Sequence, residues 1–187
     1  MNNMNMSKLK IIAAGGGGPA TTSRPAIEAA LRLATPEKPN VLIIPTAKRT
    51  QTAFDAVVPN TEKFFRSLGL KTELLHQFDE SIDPDKAQDL IADSDLIYTA
   101  GGDTLHLMDE LRRHQLDNAL AERALAGRVV LSGVSAGAIL PTLWGHSDSM
   151  SYRPDTADNW EYIRVNGLGL APFAITPHFG NTSERLG

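Results

Sequence analysis

The feature that most constrains the fold is an alternation of short apolar runs with longer amphipathic segments. The short runs are rich in Ile, Leu and Val and are bounded by turn residues, a pattern that indicates strands. They lie at Leu9–Ala14, Val41–Pro45, Lys71–His76, Asp95–Thr99 and Arg128–Leu131. Because several are apolar almost throughout, they favour a parallel sheet buried on both faces. The alternation predicts an α/β protein with a doubly wound, mostly parallel sheet and helices on both faces.

Helical periodicity fills the intervals between these runs. The predicted helices are Arg24–Leu33, Ala53–Leu68, a helix ending at Ile91, Thr104–Arg113 and Leu116–Ala126. Asp83 is expected to cap the third of them, with Pro84 in its first turn. After Leu143 the chain becomes polar and aromatic, which indicates a long loop or a hairpin. Two short apolar segments follow, Tyr162–Val165 and Phe173–Thr176.

Composition restricts the class of protein. The 187 residues suit a single domain, 1–187, and no repeat or second domain is visible. A net charge of −4 gives no reason to expect a nucleic-acid or anionic membrane partner, and no apolar run is long enough to span a membrane. Without cysteine there is no disulfide, thiolate metal site or cysteine nucleophile. We expect a cytoplasmic enzyme that needs no metal or cofactor.

A serine at the tip of an apolar run is the strongest chemical signal. In Gly133-Val134-Ser135-Ala136-Gly137 the serine has a glycine two residues away on each side, as in a nucleophile elbow. Such a turn forces strained backbone angles and close approach of neighbouring segments, so small residues are required around it. The serine hydroxyl would then project above the carboxyl ends of the strands, where open α/β sheets bind ligands. The alternative is a tight strand-to-helix turn with a buried serine.

Two glycine-rich turns follow other predicted strands. The first, Gly101-Gly102-Asp103-Thr104, leaves backbone N–H groups unobstructed and suits an oxyanion or a carboxylate; alternatively Asp103 or Thr104 only caps the next helix. The second, Gly15 to Gly18, loosely resembles a dinucleotide-binding loop. No acidic residue ends the second strand to support that interpretation, so a loop lining the pocket is favoured.

A catalytic serine needs a base, and the base is positioned in space rather than by sequence order. Among the five histidines, His178 follows an apolar strand and a proline-fixed turn, and His146 in the polar segment is the main alternative. The others are expected to be surface or locally satisfied residues: His76, His106 and His114.

These motifs together resemble the dipeptidase E and cyanophycinase family of serine peptidases, whose fold is like that of class I glutamine amidotransferases. The resemblance covers nearly the whole chain in order and includes Ile44-Pro45-Thr46-Ala47, Gly167-Leu168-Gly169-Leu170 and Pro177-His178-Phe179. It implies that Ser135 is the nucleophile and His178 the general base. It further implies an oxyanion hole made by the N–H groups of Gly102 and Ala136, with Asp103 and Thr104 at the substrate. The implied substrate is a peptide bond after an aspartyl residue, either in small dipeptides or in an aspartate-rich polymer.

The resemblance leaves the acid of the triad open. Asp148 is preferred and Glu161 is second, followed by Asp155 and Asp158, because the segment from Trp144 to Glu161 does not align without gaps. A substrate carboxylate requires a cation, and Arg164 is put forward for it together with Arg153 and Arg185.

Other expectations concern the rest of the protein and its activity. The chain stops nine residues after His178, so the C-terminal part of the family fold is expected to be missing. A homodimer is compatible with the sequence, which does not determine the oligomer. A non-peptidase esterase or amidase, and a catalytically inactive binding protein on the same fold, are the alternative functions.

Overall fold

The computed structural model describes residues 8–77, 80–155 and 159–179. Five parallel strands form the main sheet in the order β1-β5-β4-β2-β3, and the predicted α/β class is confirmed. The strands are β1 Lys10–Ala14, β2 Val41–Ile44, β3 Thr72–Leu74, β4 Leu96–Thr99 and β5 Val130–Val134. Because all five run in the same direction, their carboxyl ends lie along one edge.

Helices cover both faces of this sheet. They are α1 Arg24–Leu33, α2 Gln51–Ser67, α3 Pro84–Asp93, α4 Thr104–Arg113, α5 Leu116–Leu125 and the short α6 Ala136–Ile139. In β2, Val41 and Ile43 pack with α1 and α2, whereas Leu42 and Ile44 pack with α3, α4 and α5. All four β2 residues are buried, which explains why its sequence is apolar without alternation.

Local signals set the helix starts. The Asp83 side chain accepts hydrogen bonds from the amides of Asp85 and Lys86, and Pro84 is the first residue of α3, as expected. In the same way the Asp103 side chain accepts from the His106 amide at the start of α4. Within the described residues, no helix is long and apolar enough to cross a membrane.

A second, three-stranded sheet follows the serine, and the sequence analysis did not predict it as a separate sheet. Its strands are β6 Thr142–Ser147, β7 Ile163–Asn166 and β8 Ala171–Ile175, in the order β7-β6-β8. The polar segment after Leu143 therefore forms the hairpin alternative, since β6 and β7 pair in antiparallel fashion. Strand β8 pairs with β6 in parallel and leads to Pro177 and His178.

Candidate active site

Ser135 occupies the sharp turn between β5 and α6. Its backbone angles, φ 53° and ψ −112°, are ones that residues other than glycine rarely adopt. The Ser135 amide donates a hydrogen bond of 3.0 Å to the carbonyl of Ala14 at the end of β1. Strain of this kind persists only where the surroundings hold the backbone in place, and it is concentrated at functional sites.

The two glycines of the elbow permit close packing. A Cβ added to Gly133 would lie 2.5 Å from the carbonyl carbon of Gly137. A Cβ added to Gly137 would lie 2.2 Å from the carbonyl oxygen of Thr99 in β4. Both distances are far too short for real atoms, so the glycines allow α6 to pack directly against β4 and β5. Ser135, and not either glycine, has the positive φ angle.

His178 lies beside Ser135. Its Nε2 atom is 2.9 Å from the Ser135 Oγ, within the range expected for a nucleophile and its base. The His178 backbone also has a positive φ angle, 58°, and its amide donates to the carbonyl of Gly15 at 3.0 Å. The structure therefore brings together the two residues that the sequence motifs predict as nucleophile and base.

The glycine loop after β1 forms the support for this histidine. A Cβ added to Gly16 would lie 2.5 Å from Cε1 and 2.6 Å from Nδ1 of the His178 ring. A Cβ added to Gly15 would meet only the His178 amide nitrogen, at 3.5 Å. The loop thus lines the site, as predicted, and the absence of a side chain at Gly16 makes room for the imidazole.

The turn after β4 approaches the nucleophile from the other side. A Cβ added to Gly101 would be 3.0 Å from the Ser135 Cβ, so this turn lies directly against the serine. Gly102 has a φ of 146° and packs on the carbonyl oxygen of Ala47, which an added Cβ would approach to 2.2 Å. Ala136 is the first residue of α6, where backbone N–H groups have no acceptor within the helix.

Asp103 and Thr104, which complete the turn after β4, have buried side chains. Asp103 is 0% exposed; besides capping α4, it forms an ion pair of 3.1 Å with Arg49 and lies 4.0 Å from Arg153. Thr104 is 1% exposed, and its Oγ1 accepts a hydrogen bond from Ser147. The helix-cap alternative for Asp103 is therefore present in the structure. Arg49 is not among the residues predicted from the sequence, where its only signal is the basic pair Lys48-Arg49 after a strand.

The candidate acids differ in their position relative to His178. Gly145 of β6 pairs with Ile175 of β8, and three residues further along each chain stand Asp148 and His178. Both residues therefore follow the paired ends of neighbouring parallel strands, β6 and β8. Glu161 is exposed and precedes β7, which lies on the far side of β6 from β8.

Asp148 is half-buried, and its charge acts on the same region as the Asp103 turn. Partial burial, and then the negative charges of Asp148 and Asp103, raise the pKa of Tyr152. Among the lower-ranked acids, Asp155 is exposed, and Asp158 lies outside the described residues.

The remaining candidates are His146 and the three arginines that were put forward to bind a substrate carboxylate. The Arg164 guanidinium lies over the Trp144 ring, 4.9 Å from its centroid, and the His146 ring is 5.3 Å from the same ring. His146 is thus exposed on the small sheet and packs on an aromatic neighbour. Arg153, by contrast, points toward the turn that contacts Ser135, and Arg185 lies outside the described residues.

Comparison with known sequences shows the family. The sequence model of peptidase family S51 matches residues 11–186, so the chain belongs to this family. It is 30% identical over 145 residues to an uncharacterized peptidase of Listeria monocytogenes, covering 76% of this chain and 66% of the relative. It is 31% identical over 144 residues to peptidase E of Salmonella arizonae, covering 76% of this chain and 56% of that protein. The chain thus spans about half to two thirds of the length of these curated relatives.

Solved structures support the fold. A crystal structure of a peptidase from an acI-B1 actinobacterium superposes with a TM-score of 0.64 at 20% identity, covering 87% of this chain and 65% of the other. A candidate peptidase E from Listeria monocytogenes gives a TM-score of 0.60 at 23% identity, covering 87% and 76%. These similarities confirm the arrangement of strands and helices.

Proposed function

We propose that the protein is a serine peptidase that cleaves peptide bonds after aspartyl residues in small peptides. The observation that carries the proposal is the 2.9 Å contact between His178 Nε2 and the hydroxyl of a serine in strained backbone geometry. Family membership and the peptidase E names of several relatives support the same reaction class.

The proposed reaction is acyl transfer to water. His178 Nε2 takes the Ser135 proton as Oγ attacks the scissile carbonyl carbon, and it gives this proton to the amine when the C–N bond breaks. A water molecule, deprotonated by His178 in turn, then hydrolyses the acyl-serine ester. The developing oxyanion is bound by the N–H groups of Gly102 and Ala136, and each such donor lowers the barrier by about 3 kcal/mol.

Asp148 is proposed as the acid that orients His178. Asp148 follows β6, the strand that pairs directly with β8, and this supports it over Glu161, which precedes β7 on the other side of β6. A carboxylate in this position fixes the imidazole tautomer and stabilises the imidazolium that forms during attack.

Recognition of the aspartyl carboxylate is proposed to fall to Arg153. The Arg153 side chain is 33% exposed and is directed at Asp103, next to the Gly102 amide. Because Asp103 is buried and also binds Arg49, its role is to hold these arginines, while the exposed part of Arg153 remains available to a ligand. Arginine suits this task because its guanidinium can bind a carboxylate through two hydrogen bonds.

Hydrolysis of a matched substrate panel tests the proposal. We expect Asp-Xaa dipeptides to be cleaved much faster than Leu-Xaa dipeptides or simple esters, and Ser135→Ala to remove all of this activity. Preferential ester cleavage by Ser135 would instead indicate a non-peptidase hydrolase. A folded protein that cleaves none of the panel would indicate a binding protein.

A further inference from the structure

A cavity of about 520 Å³ lies at the carboxyl ends of β2 and β3, against α4. The loop after β2 contributes Lys48 and Arg49, and the segment after β3 contributes His76 and Glu80. The volume is within the range of small-molecule sites in proteins, roughly 300–1,000 Å³. We call this cavity the histidine pocket.

Helix α4 supplies the other wall of the histidine pocket. His106, Glu110 and His114 recur at intervals of four residues and therefore lie on one face of the helix, with Arg113 beside them. Glu110 holds Arg113 at 2.8 Å and His114 at 3.6 Å. The sequence analysis treated these histidines as surface or locally satisfied residues, yet the structure gathers them around one cavity.

Among the described residues that line the pocket, two buried side-chain atoms have no hydrogen-bond partner. In the described part of the chain, Thr46 Oγ1 and His76 Nδ1 are the buried side-chain atoms that make no hydrogen bond. Thr46 is only 2% exposed, and both residues line the pocket. Buried polar groups are nearly always hydrogen-bonded, so these two atoms mark an unsatisfied polar region behind the wall of the pocket.

The charge of the histidine pocket depends on its histidines. With neutral histidines, Lys48, Arg49 and Arg113 are balanced by Glu80, Glu110 and the Asp103 behind Arg49. Each histidine that is protonated adds one positive charge to this balance.

Burial favours the neutral form of His76 and of His106. It is the main cause that lowers the pKa of His76 and of His106 below the ordinary value of 6.5. The same effect lowers the pKa of Lys48. An anion in the pocket opposes these shifts, because it stabilises the protonated rings, and by linkage its affinity rises as pH falls. Among the described residues, no acidic or histidine group has the arrangement of a metal site.

We infer that the histidine pocket binds a small anionic ligand and takes up protons as it does so. Oxyanions such as phosphate groups and dicarboxylates share this chemistry. Neither Ser135 nor His178 lines the histidine pocket, so anion binding can be measured independently of the proposed peptidase activity.

Sulfate is the first probe, because it remains doubly charged over the relevant pH range. Calorimetric titration of the full chain should give a Kd about tenfold lower at about pH 5.5 than at about pH 7.5, with net proton uptake. Succinate at about pH 7.5, where both carboxylates are ionised, distinguishes the two classes of ligand. Binding tighter than that of sulfate would indicate a dicarboxylate, and weaker binding would indicate an oxyanion. No binding of either anion, or binding independent of pH, would overturn the inference.

Matched variants locate the binding. His76→Gln and Lys48→Met should each weaken sulfate binding by about tenfold, the loss expected for one charged contact. The controls His146→Gln, on the exposed face of the small sheet, and Lys63→Met, on α2, should bind like wild type. Circular dichroism checks the fold of each variant. Wild-type affinity in folded Lys48→Met and His76→Gln would place the anion elsewhere and overturn the inference.

Discussion

The nucleophile and its base come from two unlike regions of the molecule. Ser135 ends a central strand of the main sheet, between β1 and β4, and its position is fixed by backbone packed against backbone at Gly133 and Gly137. His178 follows β8 of the small sheet, whose middle residues are exposed, and it is held by the glycine loop after β1. The serine therefore depends on close packing within the main sheet, whereas the histidine depends on contacts between the end of the small sheet and the loop after β1.

The largest effect is expected when the histidine of the Ser135–His178 pair is removed. His178→Ala should lower kcat on an Asp-Xaa dipeptide on the order of 10⁶-fold, as loss of the base does in serine peptidases of other folds. The KM should change little, because the base acts mainly in the transition state. His146→Ala is the matched control and should retain wild-type turnover. A severe His146→Ala and a mild His178→Ala would reverse the assignment.

The acid is expected to give the next largest effect, and it sharpens the comparison because it comes from the segment after β6 of the small sheet. Asp148→Asn keeps size and removes charge, and it should lower kcat by about 10⁴-fold. Glu161→Gln makes the same change on the other side of β6 and should have almost no effect. Steady-state kinetics of both variants decides the matter. If both amides retain most of the turnover, either another acid completes the triad or the site is a Ser–His dyad.

A smaller loss of rate is expected from changing the glycine loop that supports His178. Gly16→Ala adds a Cβ that would overlap the imidazole, so the ring must move, and a displacement of about 1 Å can cost about 10²-fold in rate. Gly15→Ala adds the same group next to the backbone nitrogen, at an ordinary contact distance, and should cost little. Equal kcat values for the two variants would show that the loop does not position the ring.

The smallest effect concerns substrate recognition beside the nucleophile. Arg153→Met should raise the KM for Asp-Xaa dipeptides by about tenfold, the loss of one charge-assisted contact, with a smaller change in kcat. Arg164→Met removes an arginine that lies over Trp144 and should leave KM unchanged. A KM effect confined to Arg164→Met would move carboxylate recognition to the small sheet.

Sequence alone predicted the parts of the molecule that local interactions determine. Helices α1 and α4 begin and end where their periodicity and caps indicate, and the glycine pattern around Ser135 marks a real elbow. The separate small sheet was not predicted, because β6 is half exposed and pairs with strands further along the chain. Arg49 was missed for the same reason: its partner, Asp103, is distant in sequence and only the fold brings them together.

Covalent labelling of the serine tests the central claim most directly. The wild-type protein, treated with a fluorophosphonate probe and digested for mass spectrometry, should carry the probe on Ser135. Labelling should be absent in Ser135→Ala and strongly slowed in His178→Ala, because the hydroxyl is activated by the Nε2 atom 2.9 Å away. A folded wild-type protein that takes up no probe, or that is labelled equally in Ser135→Ala, would contradict the account.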